Sequence, residues 1–183
     1  MADNVLVVHS SGPQGPGEGS EPFVHRLRDE LGPEYEVLFP VMPGTDEEPH
    51  YEPWRDRLSS ELDALGGKVI LFGHSLGGSV ALKYAAEEGL EGRVAGLVTA
   101  AAPYWGTSDW EQEWALPEGW PAEGPRLPPT VLFHSRDDEE SPFSSLERYA
   151  ERLPEAAIRP LEGCGHLYDR GDLSEIVAAV SSF

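Results

Sequence analysis

Apolar positions along the chain follow two alternating rhythms. Val5-Leu6-Val7-Val8, Val69-Ile70-Leu71-Phe72 and Val131-Leu132-Phe133 are short unbroken apolar runs, the pattern of strands buried on both faces. Residues 94–99 read as another strand, 35–41 as one ended by Pro43-Gly44, and 156–161 as a weaker sixth. Between them apolar residues recur at helical spacing. Phe23, Leu27 and Leu31 lead to Gly32-Pro33, and Trp54, Leu58, Leu62 and Leu65 lead to Gly66-Gly67. Further helices are expected over about 76–88, 144–153 and 173–182. Apolar strands alternating with helices predict an α/β layer structure: a parallel sheet of about six strands, helices on both faces, right-handed crossovers.

One stretch breaks the rhythm. Residues 104–129 hold Trp105, Trp110, Trp114 and Trp120, four of the five tryptophans, with prolines at 117, 121, 125, 128 and 129. This is too long and too aromatic for an ordinary strand connection. It is expected to be a lid-like insertion in a single domain spanning 1–183, a length suited to one core. The tryptophans either cover an acyl or aromatic group or pack the insertion onto the sheet.

Composition narrows the function classes. The chain is 39% hydrophobic and 25% charged, as globular proteins are. It carries 33 acidic against 13 basic side chains, a formal charge of −20. Such a surface is repelled by phosphate backbones and by anionic membranes, so neither nucleic acid nor membrane is an expected partner. The single cysteine, Cys164, excludes an internal disulfide and a cysteine zinc site, and is expected to be a small buried filler. With no signal-like segment and no apolar run of membrane length, the expectation is a soluble cytoplasmic protein, monomeric or a small homo-oligomer.

The chemistry gathers at strand ends. The third strand runs into Gly73-His74-Ser75-Leu76-Gly77-Gly78, and a helix follows at once. G-x-S-x-G between a buried strand and a helix is a nucleophile elbow: the turn strains the serine and presents its hydroxyl at the sheet edge. Ser75 is the candidate nucleophile. A serine needs a base, and the base an orienting acid, here in the chain order Ser, acid, His. The fifth strand ends in Asp137-Asp138-Glu139-Glu140, and the sixth in Glu162-Gly163-Cys164-Gly165-His166, whose glycines let His166 reach over the sheet edge. The oxyanion donor next to the nucleophile is the N–H of Leu76.

These residues resemble the α/β-hydrolase superfamily over essentially the whole chain. More narrowly, the chain looks like small serine hydrolases related to retinoblastoma-binding protein 9. The match lies in Phe39-Pro40-Val41-Met42-Pro43 followed by Pro49 and Trp54, in the elbow, and in Gly165-His166. The resemblance implies a minimal sheet of strand order 2-1-3-4-5-6 and a Ser-His-Asp triad without cofactor. The family's paired aspartates, followed four residues later by proline, match Asp138 and Pro142, so the acid role is carried to Asp138, with Asp137 as the alternative. The family's loop after the first strand appears as His9-Ser10-Ser11-Gly12, which makes Ser11 the second oxyanion donor and puts the Ser10 hydroxyl near the substrate pocket beside Trp105, Trp110 and Trp114. Ser135 and Ser10 stand where the family has glycines.

His9, His74 and His134 near strand ends are expected to bond adjacent loops rather than bind a metal. The expected activity is hydrolysis of an ester, amide or thioester through an acyl-enzyme. Alternatives are acyl transfer by the same triad or a low-turnover binding protein on the same fold. Residues 67–103 balance Glu87, Glu88 and Glu91 against Lys68, Lys83 and Arg93, so the acidic surplus lies elsewhere. Carboxylates on the acid loop and the Asp46 loop would then border the pocket mouth and favour neutral or cationic substrates.

Overall fold

The computed structural model describes residues 3–45, 47–106 and 111–183. In chain order the elements are β1 (Asp3–Val8), α1 (Glu21–Leu31), β2 (Tyr35–Leu38), α2 (Tyr51–Ala64), β3 (Val69–His74), α3 (Leu76–Glu87), β4 (Gly96–Ala100), β5 (Thr130–Ser135), α4 (Ser144–Arg152), β6 (Ala157–Leu161) and α5 (Ser174–Val180). The six strands form one parallel sheet ordered β2-β1-β3-β4-β5-β6. Several boundaries shift by one to three residues from the sequence reading, and two of the shifts have a plain backbone cause. β2 stops at Leu38 rather than 41, and Pro40, which has no N–H, could not have extended its ladder. β4 starts at Gly96 rather than 94, because the Val94 N–H closes a turn onto the Leu90 carbonyl.

Alternation along the strands splits the core in two. Leu6, Val8 and Leu71 face Trp54 and Leu58 of α2, Leu82 of α3 and Leu146 of α4. Val5, Val7, Ile70 and Phe72 face Phe23 and Leu27 of α1 and Ile176 of α5. Full burial of one such side chain contributes about 1.5–3 kcal/mol. Helix α3 is buried along nearly its whole length, and its small residues set how closely it sits. A Cβ on Gly77 would come 2.1 Å from the Val8 carbonyl oxygen, and one on Gly78 would come 2.7 Å from Ala102 Cβ. Glycine there lets the α3 amino terminus press against the ends of β1 and β4.

The described part of segment 104–129 consists of turns fastened to the α2–α3–α4 face. Arg152 donates to the carbonyls of Trp120 (2.8 Å), Glu118 (3.0 Å) and Pro117. Lys83 Nζ donates to the Glu113 carbonyl at 2.8 Å, and the Glu113 carboxylate accepts the Tyr51 N–H at 2.7 Å. Trp114 and Trp120 are buried in the core, and Trp114 meets Tyr51 and Trp54 edge-on. Trp110 and Asp46 lie outside the described residues. Among the described residues, no helix is long and apolar enough to cross a membrane.

Candidate active site

The parallel sheet places the carboxyl ends of all its strands along one edge, and the elbow rises there. Ser75 has φ 52° and ψ −123°, a conformation that residues with side chains rarely adopt. It is held by its N–H on the Ala100 carbonyl (2.8 Å) and by the Gly78 N–H on its own carbonyl (2.8 Å). Both flanking glycines are sterically required, since a Cβ on Gly73 would come 2.5 Å from Gly78 Cα.

After β6 the backbone turns through Gly163 (φ 75°) and Gly165 (φ 60°), which brings His166 over the same edge. Its Nε2 lies 2.8 Å from Ser75 Oγ. Its Nδ1 lies 2.9 Å from Asp138 Oδ2 and 3.0 Å from Oδ1. A carboxylate only accepts, so Nδ1 carries the proton and Nε2 presents a lone pair to the serine hydroxyl. The Asp138 side chain is fully buried. Burial opposes its charge, but the His134 and His166 ring N–H groups and the Ser141 N–H outweigh this and hold its pKa well below the ordinary carboxylate range.

The geometry separates the two aspartates that the sequence left as alternatives. Asp137 turns to the Ser135 hydroxyl, the Gly165 N–H (3.1 Å) and Arg170 (3.3 Å), which hold it at about pKa 2. It ties β5 to the histidine loop, and Ser135 does the same by accepting the Cys164 N–H at 3.1 Å. A hydroxyl at 135 thus adds a bridge that glycine could not make. Cys164 is buried, and burial pushes its thiol pKa up.

Beside Ser75 opens a cavity of about 410 Å³ lined in part by Ser11, Leu76, Pro103, Trp105, Trp114 and His166. Glu48, Glu113 and Glu140 also line it, the last with a carboxylate oxygen 3.8 Å from His166 Nε2. The N–H groups of Leu76 and Ser11 have no hydrogen-bond partner among the described residues. Ser10 differs from expectation. It is buried, its hydroxyl meets Ser20 Oγ (3.1 Å) and Gln14 (3.3 Å), and it does not line the cavity.

The three strand-end histidines each serve a different neighbour. His9 donates to the Ser10 carbonyl and accepts the Met42 N–H, His74 spans Ser20 and the His166 carbonyl, and His134 donates to the Ser141 carbonyl and Asp138. Among the described residues, no group of three or more His, Cys, Asp or Glu side chains is arranged to hold a metal. Sequence reasoning missed Ser20 and Gln14, which clamp the loop after β1. Ser20 could be read only as a helix-capping serine ahead of Glu21-Pro22.

Burial pushes the His74 pKa down from 6.5 to about 4. The unfolded chain therefore binds a proton across that window which the folded protein does not. The contribution is intact above pH 6.5 and is lost as pH falls toward 4, on the order of 3 kcal/mol in full. Urea denaturation at pH 7 and at pH 4.5 measures this; His74→Gln is expected to show the shallower loss, and an equally steep loss would assign it to other groups.

The sequence model of the alpha/beta hydrolase family matches residues 5–125. Comparison with curated protein sequences returned no match. Solved structures similar to the chain include the ydeN gene product of B. subtilis, at 20% identity and TM-score 0.71 over 99% of this chain and 98% of that one. A thermophilic esterase from Thermogutta terrifontis aligns at 21% identity and TM-score 0.70 over 100% of this chain and 89% of that one. Est1E from Butyrivibrio proteoclasticus, solved with ferulic acid bound, aligns at 17% identity and TM-score 0.69 over 100% and 88%. The family match covers more than half of the chain, and the sheet order and strand-end elbow agree with it: the chain belongs to the alpha/beta hydrolase family.

Proposed function

We propose that the protein is a serine hydrolase that cleaves a carboxylic ester, or a related amide or thioester, through an acyl-enzyme. The observation that supports this reading is the hydrogen-bonded series Ser75 Oγ, His166, Asp138, spanning 2.8 and 2.9 Å at the wall of a cavity. In it, Ser75 Oγ attacks the substrate carbonyl as His166 Nε2 takes its proton. The oxyanion sits between the N–H groups of Leu76 and Ser11. As the tetrahedral intermediate collapses, His166 returns the proton to the leaving group. Water, deprotonated by the same ring, then releases the acyl group. Asp138 keeps the Nδ1–H tautomer in place and stabilises the imidazolium.

Trp105 and Trp114 give the cavity an apolar wall for an acyl or aromatic group, and segment 104–129 would serve as its cover. The thermophilic esterase among the structural neighbours fits an ester substrate. The narrower likeness to small hydrolases related to retinoblastoma-binding protein 9 rests on the 39–54 segment and the elbow. A cytoplasmic monomer or small oligomer goes with this reading. The test is a fluorophosphonate probe with a panel of short-chain esters: labelling and turnover are expected, and neither in well-folded protein would end the proposal.

The cavity carboxylates set a charge preference. Glu48, Glu113 and Glu140 face it, and among the described residues no lysine or arginine lines it. Short-chain esters bearing a cationic group are expected to exceed anionic analogues in kcat/KM by about tenfold at low salt, the ratio shrinking as salt rises. Glu48→Gln with Glu140→Gln should narrow it. A preference for anionic esters would contradict this assignment.

A further inference from the structure

His74 occupies the variable position before the nucleophile, yet it is fully buried and both of its ring nitrogens are engaged. Nε2 lies 2.9 Å from the His166 carbonyl oxygen, which can only accept, so Nε2 carries the proton. Nδ1 is then an acceptor, and the Ser20 hydroxyl, 2.7 Å away, donates to it. The remaining lone pairs of Ser20 Oγ take the Ser10 N–H at 2.8 Å and the Ser10 hydroxyl at 3.1 Å.

Ser20 is the N-cap residue of α1, where a serine hydroxyl normally satisfies a free helix N–H and contributes about 1 kcal/mol. Here it makes no bond to its own helix and turns inward to His74 instead. Gln14 closes the unit: its amide donates to the Gly12 carbonyl (2.9 Å) and accepts the Ser20 N–H (2.9 Å). Phe23 and Tyr168 pack against the His74 ring, at centroid distances of 5.4 and 5.9 Å.

We propose that His74 is a positioning residue whose ring couples the backbone of His166, through Ser20, to the Ser10–Ser11 loop. The coupling rests on the hydrolase reading for its purpose: it fixes the base and the second oxyanion donor relative to each other. The His166 loop, with Gly163 and Gly165 at positive φ, needs such external anchors. Misplacement of about 1 Å in this kind of arrangement can lower a rate by about 100-fold.

The test uses Ser20→Ala, His74→Leu and His74→Gln, the last keeping a donor toward the His166 carbonyl. Two quantities are read on folded protein. One is the rate of labelling by a fluorophosphonate; the other is the low-field NMR signal of the His166 Nδ1 proton shared with Asp138, in ¹⁵N-histidine-labelled protein. Ser20→Ala and His74→Leu should slow labelling about tenfold or more and shift the resonance at temperatures where both variants remain folded. His74→Gln should restore most of the rate. Wild-type rates and an unmoved resonance in Ser20→Ala and His74→Leu would overturn the proposal. So would losses that follow only the melting temperature and are not rescued by glutamine. An unlabelled wild type would defeat the hydrolase reading alone, and a shifted resonance in Ser20→Ala would still support the coupling.

Discussion

Asp138→Asn is expected to lower kcat for a short-chain ester by about 10⁴-fold while KM stays within about twofold. The carboxylate accepts from four directions: the N–H groups of Glu140 (2.9 Å) and Ser141 (2.8 Å) on Oδ1, and the rings of His134 (3.1 Å) and His166 (2.9 Å) on Oδ2. An amide has only one acceptor oxygen. If that oxygen keeps the two backbone N–H groups, the NH₂ faces His166 Nδ1 and forces the opposite tautomer. Nε2 then carries a proton and cannot take one from Ser75. The His134 ring N–H then meets the amide NH₂ in place of a carboxylate oxygen and keeps only the Ser141 carbonyl (3.0 Å), so stability should also fall by about 1–3 kcal/mol. Asp137→Asn provides the contrast, because that side chain meets Ser135, Gly165 and Arg170 and not His166. Its kcat should stay within about tenfold of wild type. Steady-state kinetics with thermal melts read both variants, and a larger kcat loss in Asp137→Asn would reverse the assignment.

Ser75→Ala removes the proposed nucleophile and should lower kcat by about 10⁶-fold, abolishing fluorophosphonate labelling. Among the described residues, the only side-chain hydrogen bond Ser75 makes is to His166, and alanine meets the same backbone strain at φ 52°, so the melting temperature should change little. Turnover within tenfold of wild type, measured in protein free of wild-type contamination, would mean that another group attacks the substrate.

Much of the sheet was legible because its strands are apolar runs between glycines and prolines. Strand ends were not, where single backbone bonds decide: the Val94 N–H closing a turn, and Pro40 having none to give. Ser75 and His166 could be read because an elbow and a glycine-flanked histidine leave local marks. Asp138 against Asp137 could not be settled from composition, since the choice depends on which carboxylate turns toward His166 and which toward Gly165. The Ser10–Ser20–His74 group was invisible for a similar reason. Its members lie far apart in the chain, and Ser20 looks like an ordinary helix cap until its hydroxyl is seen on His74. The carboxylates expected at the pocket mouth were partly found, as Glu140 on the acid loop and Glu48 near position 46. Glu113 came from the tryptophan-rich segment, whose fold the sequence pattern did not specify.

The central claim is that Ser75 is the attacking group. Peptide mass spectrometry of the protein after reaction with a fluorophosphonate tests it most directly. A single adduct on the peptide containing Ser75, absent when His166 is replaced by glutamine, is the predicted result. An adduct on another residue, or no adduct in folded wild-type protein, would contradict it.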